Sequence, residues 1–304
     1  RCSYASLLHP INPSDLLFLR GDYGTRKPLP VIAGFEGSGV VVATGNNIRA
    51  RLLQGRRVAC GSPHSDGTWA EYLCIPANTC IPFMPDISTI QGASLIVNPL
   101  TAYALVDIAR KGHRAALQTA AASSLGRMIV RLSQRLRFPM IHIVRRPEQV
   151  ATLKAMGADY VLDSSTDDFD QQLTEYCQQL QATLVIDAVA GDFTGRILHA
   201  MPDGSRALVY GLLSGEPCQV DVDDLVFRRK GIDGFWLSDW ITQKHSLALL
   251  HAAWQVQRLL KHDFQTAVRA CFPLEDYAFA LNLYEQRMSE GKVLFMPQLQ
   301  RSRP

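Results

Sequence analysis

QTAAASSLGRM (118–128) closes a short apolar run, AALQT (115–119), and opens a helical one, LGRMIVRLSQRL (125–136). In the latter, Leu125, Ile129, Leu132 and Leu136 recur three or four residues apart, as one face of a helix requires. Strand, small-residue turn and amphipathic helix together make the start of a β-α unit. Laid on the dinucleotide-binding pattern G-x-G-x-x-G, the glycine positions fall on Ala121, Ser123 and Gly126, with Ser124 and Leu125 between the last two. Alanine and serine are small enough for backbone to approach a pyrophosphate, and a helix N-terminus offers unpaired N–H groups and a positive dipole end. Plain strand–turn–helix packing would explain the same residues nearly as well. The position of the turn says more than its letters. Downstream, MIHIV (140–144), DYVLD (159–163), LVIDAV (184–189) and ALVYG (207–211) alternate with stretches at helical spacing. The turn thus opens a run of about five β-α units, which predicts a doubly wound parallel sheet with helices on both faces.

The chain on either side reads differently. Residues 1–98 are rich in Gly, Pro and short β-branched runs: VIAGFEGSGVVVATG (31–45), GRRVACG (55–61) and GTWAEYLCIP (67–76). They predict an antiparallel or barrel-like β domain. After GIDGFW (231–236) come two helical stretches, about 242–262 and 273–287, and a last strand, KVLFMP (292–297). The expected division is a parallel-sheet domain over 99–240 and a β-rich domain made from 1–98 and 241–304.

At roughly 150 residues per domain, the 304-residue length fits two domains. With 47% hydrophobic and 19% charged residues the chain is not of the disordered class, and no apolar run reaches the roughly 18–20 residues of a membrane span. Lys and Arg number 31 against 28 Asp and Glu, a net charge of +3, too small and scattered to point to nucleic acid. The seven cysteines (2, 60, 74, 80, 177, 218 and 271) contain no C-x-x-C pair. They read as packing residues in a reducing setting, cytoplasmic, or mitochondrial if a transit peptide preceded Arg1. The histidines, His9, His64 and His245 among them, pair with no acid or nucleophile at a recognisable spacing. Ser123 and Ser124 lie in a phosphate turn, not a nucleophile elbow.

The second strand of the parallel series ends HIVRRPEQ (142–149). Where an NAD site carries an acid for the ribose hydroxyls, this chain has Arg145 and Arg146, and paired guanidinium groups suit a 2′-phosphate. That favours NADPH. The alternative is two surface arginines at the start of a helix begun by Pro147.

Taken with INPSDLLFLRGDYG (11–24), GFEGSGVVVATG (34–45), GTWAEY (67–72), NPLTAY (98–103), AASSLG (121–126), HIVRRP (142–147) and GFWLSDW (234–240), the chain resembles the zinc-lacking branch of the medium-chain dehydrogenase/reductase superfamily. The likeness is greatest to the mitochondrial-type 2-enoyl thioester reductases, with quinone oxidoreductases next, GDYG and GFWLSDW being the more specific stretches. It implies a Rossmann domain plus a GroES-like β domain whose first strands would precede Arg1, and a homodimer through the Rossmann domain, edged by ALVYG to GFW. The zinc-ligand positions of the zinc-containing relatives fall on Asn12 or its neighbours, Phe35 and Asn98. None is Cys or His, so no metal is expected. Glu36 remains as a lone carboxylate, read as a hydrogen-bonding structural residue.

The resemblance also distributes roles. Tyr23 matches the tyrosine that gives a proton to the α-carbon after hydride reaches the β-carbon; a phenol of ordinary pKa, about 10, is protonated at neutral pH. Without the resemblance the sequence favours a turn tyrosine packing its ring on the β domain, and Asp22 is a turn former or orienting acceptor. Asn98 and Thr101 are implied to contact substrate or nicotinamide at a cleft between the domains, against a turn role for Asn98-Pro99. Ala121, Ser123, Ser124, Leu125, Gly126, Arg145, Arg146, Tyr210, Gly211, Phe235 and Trp236 are assigned to the cofactor, and Trp236 with Trp240 to the acyl pocket or to core. The expected activity is NADPH-dependent reduction of trans-2-enoyl thioesters. The alternatives are an NADPH:quinone or alkenal oxidoreductase, and an NADPH-binding protein without chemistry.

Overall fold

Backbone hydrogen-bonding capacity divides this chain between two sheets of opposite character. The computed structural model describes residues 2–62, 65–265, 267–286, 288 and 290–297, so His64 lies outside the described residues. One unit is Arg1–Leu100 with Ser246–Pro304, the other Thr101–His245. The first holds β1 (Cys2–Pro10), α1 (Pro13–Arg20), β2 (Glu36–Thr44), α2 (Ile48–Arg51), β3 (Arg57–Gly61), β4 (Tyr72–Ile75), β5 (Cys80–Pro82) and α3 (Thr89–Ala93). Helix α4 (Val97–Gly112) follows. The second unit then runs β6 (Ala115–Gln118), α5 (Ser124–Arg135), β7 (Met140–Val144), α6 (Pro147–Ala155), β8 (Tyr160–Asp163), α7 (Phe169–Leu180), β9 (Ala182–Asp187), α8 (Asp192–Ala200), β10 (Arg206–Val209), α9 (Val222–Val226), β11 (Gly231–Gly234) and α10 (Leu237–Thr242). The chain returns to the first unit as α11 (Ser246–Leu260), β12 (Val268–Phe272), α12 (Tyr277–Gln286) and β13 (Lys292–Phe295). No helix among the described residues is long and apolar enough to cross a membrane.

In the first unit the strand order is β12-β13-β1-β2-β3-β5, with β4 also on β1. All pairs are antiparallel except β12 with β13. Val41, Val58, Cys60, Leu73, Ile75 and Cys80 fill a core on one side of the sheet, while Ile11, Leu16, Tyr284, Val293 and Phe295 gather beneath α12. Strand β12 is an addition to the sequence reading. VRACF is half-buried at all five positions, so it lacks the in–out alternation that marks a strand.

The second unit is the parallel sheet that the alternation predicts, in the order β11-β10-β9-β6-β7-β8. Burial explains its composition: every residue of β6 and β7 is buried, because helices cover both faces. Ile141 and Ile143 pack with Phe169, Leu173 and Ile197 on one side, and Val144 with Val130 and Leu153 on the other. At about 1.5–3 kcal/mol for each fully buried aliphatic or aromatic side chain, these two clusters dominate the stability of the unit. Of the α5 face read from sequence, Leu125, Ile129 and Leu132 are buried, whereas Leu136, at the C-cap, is 37% exposed. The fold is α/β: a Rossmann-type doubly wound parallel sheet together with a GroES-like β-rich unit.

Candidate active site

The parallel sheet reverses its winding at β6, since the chain goes outward through β7 and β8 and then returns to β9 on the other side. The crevice beyond the carboxyl ends of β6 and β9 is where such sheets take a nucleotide. Two non-glycine residues with left-handed backbone lie there, Ala120 (φ 49°) after β6 and Ala190 (φ 64°) after β9. Conformations of this kind are costly and persist where surrounding structure enforces them. Asp187 supplies much of that enforcement. Its carboxylate accepts hydrogen bonds from Thr119 Oγ1 (2.7 Å), Val189 N (2.8 Å), Thr194 Oγ1 (2.6 Å) and Ala190 N (3.2 Å), and Thr119 Oγ1 accepts from Ala188 N (2.8 Å). The turns after β6 and β9 are thereby joined. Sequence reading passed over Asp187; the signal available was a Thr and an Asp closing two otherwise apolar strands.

Ala121, Ser123, Ser124, Leu125 and Gly126 form the turn and the first turn of α5, as the dinucleotide pattern requires. Gly126 is obligatory, because a Cβ there would sit 2.6 Å from the carbonyl oxygens of Ala120 and Ala121. Ser123 does something that a glycine cannot. Its Oγ caps α5 by accepting from Gly126 N (3.0 Å). The N–H groups of Ser124 and Leu125 are left without intrahelical acceptors and free to meet an anion. Beneath the turn, buried Gln118 donates through Nε2 to Gly126 O (3.1 Å) and to His142 Nδ1 (2.9 Å). Burial lowers the His142 pKa to about 4, so the ring is neutral and can accept.

Arg145 and Arg146 are exposed just beyond β7, with Arg146 as N-cap of α6 and Pro147 at its first position. Glu148 lies 3.3 Å from Arg146 Nε. The anion expected beside cations at a helix N-terminus is therefore partly supplied by the chain itself. Tyr210 and Gly211 follow β10. Tyr210 is half-buried, and burial, then the Asp187 charge, push its phenol pKa up. The close backbone approach at Gly211 is to Ala188, whose carbonyl oxygen would stand 2.7 Å from an added Cβ. Phe235 N donates to Val209 O (2.8 Å), extending the sheet past β11, and Trp236 begins α10. Trp240 is buried, with Lys244 Nζ 5.4 Å above its ring, and its Nε1 has no partner among the described residues.

In the β-rich unit, α1 starts behind Asn12, whose backbone N–H donates to Asp15 Oδ2 (2.7 Å), and stops at Gly21 (φ 83°). That stop delivers Tyr23 onto the Phe35 ring, centroids 4.6 Å apart, in a group that includes Phe18 and the Lys27 ammonium. Asn98 and Thr101, one turn apart in α4, are both buried.

The three zinc-ligand positions hold something else. Asn12 uses both ends of its amide: Nδ2 donates to Glu36 Oε1 (3.0 Å), and Oδ1 accepts from Lys292 Nζ. Glu36 Oε2 accepts from Ile96 N (3.0 Å) and Val97 N (2.8 Å), and Asp15 Oδ1 from Phe35 N (2.9 Å). Asp15, Glu36 and Lys292 are all buried. Burial, opposed by hydrogen bonds and by Lys292, raises the Asp15 pKa to about 7; burial likewise raises that of Glu36 and lowers that of Lys292. Two carboxyls and one amine thus share a sealed pocket, and a proton on Asp15 makes the set neutral. Asn, Phe and Asn do not fit a catalytic zinc, and among the described residues no cluster of His, Cys, Asp or Glu could hold a metal ion.

This architecture has matches among known proteins. The alcohol dehydrogenase GroES-like domain profile matches residues 8–86, and the zinc-binding dehydrogenase profile matches 124–252. The second range excludes Asn12, Phe35 and Asn98. A crystal structure of a protein assigned as an NADPH:quinone reductase from Mesorhizobium loti is 37% identical, with a TM-score of 0.89, over 97% of this chain and 86% of the other. The chain belongs to the medium-chain dehydrogenase/reductase superfamily. Members of that superfamily are nicotinamide-dependent oxidoreductases. The mitochondrial enoyl-[acyl-carrier-protein] reductase of Mus musculus is 32% identical over 77% of the chain, a match that spans 64% of the mouse protein. The enoyl thioester reductase of Candida tropicalis, studied as a mutant form, shares the fold at 23% identity and a TM-score of 0.81, over 97% of this chain and 90% of that one.

Proposed function

We propose that this superfamily member reduces carbon–carbon double bonds conjugated to a carbonyl, trans-2-enoyl thioesters foremost, using NADPH and no zinc. The observation that carries the reading is Tyr23, set on the Phe35 ring by the stop of α1, in a unit whose zinc-ligand positions hold no zinc-binding donor set. Without a Lewis acid, a simple ketone is a hard substrate, whereas a conjugated alkene accepts hydride at its β-carbon and spreads the resulting charge onto the carbonyl oxygen. Bound NADPH would be the source of that hydride. The residues do the rest. Asn98 and Thr101 present hydrogen-bond donors for the enolate, and the Tyr23 phenol passes its proton to the α-carbon. The N–H groups of Ser124 and Leu125 take the pyrophosphate, Arg145 and Arg146 the 2′-phosphate, and Trp236 with Trp240 lines the acyl site.

Stopped-flow NADPH oxidation with crotonyl-CoA and with a naphthoquinone tests the substrate. Tyr23→Phe is expected to slow the enoyl reaction by about 10²–10⁴-fold, the usual weight of a general acid. Retained enoyl turnover in that variant would remove Tyr23 from the mechanism. Reduction of a quinone is the second reading, favoured by the 37% identity to the Mesorhizobium loti protein; it is the correct one if the quinone turns over faster and Tyr23→Phe leaves that rate alone. Stoichiometric zinc by elemental analysis would defeat the zinc-free claim. The same reading makes the working unit a homodimer joined at the β11 edge, where Phe227 is 77% and Val226 59% exposed just upstream. Sedimentation as a monomer at micromolar concentration would sink that part.

A further inference from the structure

Strands β3 and β5 pair antiparallel with Val58 opposite Pro82, Ala59 opposite Ile81 and Cys60 opposite Cys80. Phe83 N donates to Arg57 O (3.0 Å), which marks Arg57 and Phe83 as a hydrogen-bonded pair. Bonded and non-bonded pairs alternate along an antiparallel ladder, so Cys60 and Cys80, three steps on, form a non-bonded pair. The other side of β3 agrees, because Ser62 N donates to Phe35 O (2.9 Å), and the even-numbered residues of β3 therefore bond towards β2. Pro82, which has no N–H to give, also stands at a non-bonded place. Directly opposite residues project to the same face, and the two cysteines share one core cluster with Val41, Val58, Leu73 and Ile75. Non-bonded pairs have Cα atoms about 4.5 Å apart, inside the roughly 4.4–6.8 Å that a disulfide spans.

We infer that Cys60 and Cys80, thiols in this structure, are a redox modification site: a cross-strand pair that closes to a disulfide when the protein meets a peroxide. One thiol attacks the peroxide oxygen, leaving a sulfenic acid and releasing water. The second thiol then attacks that sulfur, and a second water leaves. Two S–H bonds and the O–O bond are broken, one S–S bond forms, and the two electrons lost by sulfur reduce the peroxide. Entry to the buried pair is through β5, a three-residue strand at the edge of its sheet, which can fray without unfolding the core. Cys177 and Cys271 pack in other core clusters and do not face this pair. Cys74 is exposed and is silenced in the test; Cys218, half-buried against Thr194 Oγ1, belongs to the other unit.

The test treats the full chain carrying Cys74→Ser with hydrogen peroxide, quenches with an alkylating agent, and maps peptides without reduction. The expected product is a single cross-link joining the Cys60 and Cys80 peptides with the loss of two hydrogens. Cross-linking a loop of this length should raise the melting temperature by roughly 5–10 °C, a gain that dithiothreitol reverses. The inference is overturned if both cysteines are recovered alkylated after peroxide treatment, if either is found linked elsewhere, or if the cross-link forms in urea-unfolded chain and not in the native one. Cys60→Ser and Cys80→Ser should each abolish the gain, and the peptide map of the parent stands should either fail to fold.

Discussion

Around the strand ends of the parallel sheet, the groups that would meet a ligand are mostly backbone. They are the N–H groups opening α5, the turns held by Asp187 and Thr119, and a glycine whose added Cβ would stand 2.6 Å from two carbonyl oxygens. In the β-rich unit the corresponding place is built from charged side chains drawn from α1, β2 and β13 and sealed from water. The first arrangement tolerates changes of residue so long as they stay small, which is how Ala121 and Ser123 can stand where glycines are usual. The second tolerates almost none, because a buried charge that loses its partner pays its full desolvation. Substitutions at the two places should therefore behave differently in kind as well as in size.

The largest effect is expected at Lys292. Lys292→Met keeps the volume but leaves Glu36, Asp15 and the Asn12 carbonyl without their cation, and removal of one member of a buried charged set costs about 3–5 kcal/mol. Urea denaturation followed by tryptophan fluorescence should show the midpoint falling by a corresponding amount. A loss under about 1 kcal/mol, the size of an exposed ion pair, would mean that the set is solvated and the contrast between the units is false.

Next in size is a pH dependence carried by Asp15. Its folded pKa, about 7, lies above that of an unfolded aspartate, so between those values the native state holds a proton that the unfolded chain has released. The stabilisation is fully present below about pH 4 and is lost as pH rises through 7. Against Asp15→Asn, which cannot take the proton, the parent should lose on the order of 1–3 kcal/mol between pH 5 and 8. A difference that is flat or grows with pH would mean that Asp15 is ionised throughout.

The contrast also explains what could be read from the chain and what could not. The parallel sheet was legible because local rules made it: buried strands are continuous apolar runs, and the helix between two of them shows its own period. The turn was legible because Gly126 and its small neighbours are adjacent in sequence. The network at Lys292 was not, since Asn12 and Lys292 are 280 positions apart and no local rule sets them side by side. Glu36 could be read as a hydrogen-bonded carboxylate, but its donors at Ile96 and Val97 belong to a backbone that only the fold brings near. Strand β12 escaped for a related reason. Its pairing with β13 is parallel and non-local, and its five half-buried residues carry no period.

At the arginines the effect should be smaller and confined to binding. The Arg145→Ala/Arg146→Ala double variant is expected to weaken NADPH binding tenfold to a hundredfold, about 1.4–2.7 kcal/mol, and to leave NADH unchanged. Fluorescence titration with both nucleotides decides it. Equal weakening of the two would assign the arginines to general electrostatics, and no change would leave them as surface residues, with Arg146 paired to Glu148.

The smallest effect separates the two duties of Ser123. As a cap it satisfies Gly126 N; as the middle position of the dinucleotide pattern it need only be small. Ser123→Ala removes the cap and should cost about 1 kcal/mol, whereas Ser123→Gly should cost only a few tenths, since glycine is itself acceptable at an N-cap. Nucleotide affinity should move the other way. Glycine leaves Gly126 N open to the pyrophosphate beside Ser124 and Leu125, so Ser123→Gly should bind NADPH at least as tightly as the parent. If Ser123→Gly instead loses affinity while keeping its stability, the hydroxyl itself touches the ligand, and the backbone-built character of this site is wrong at its centre.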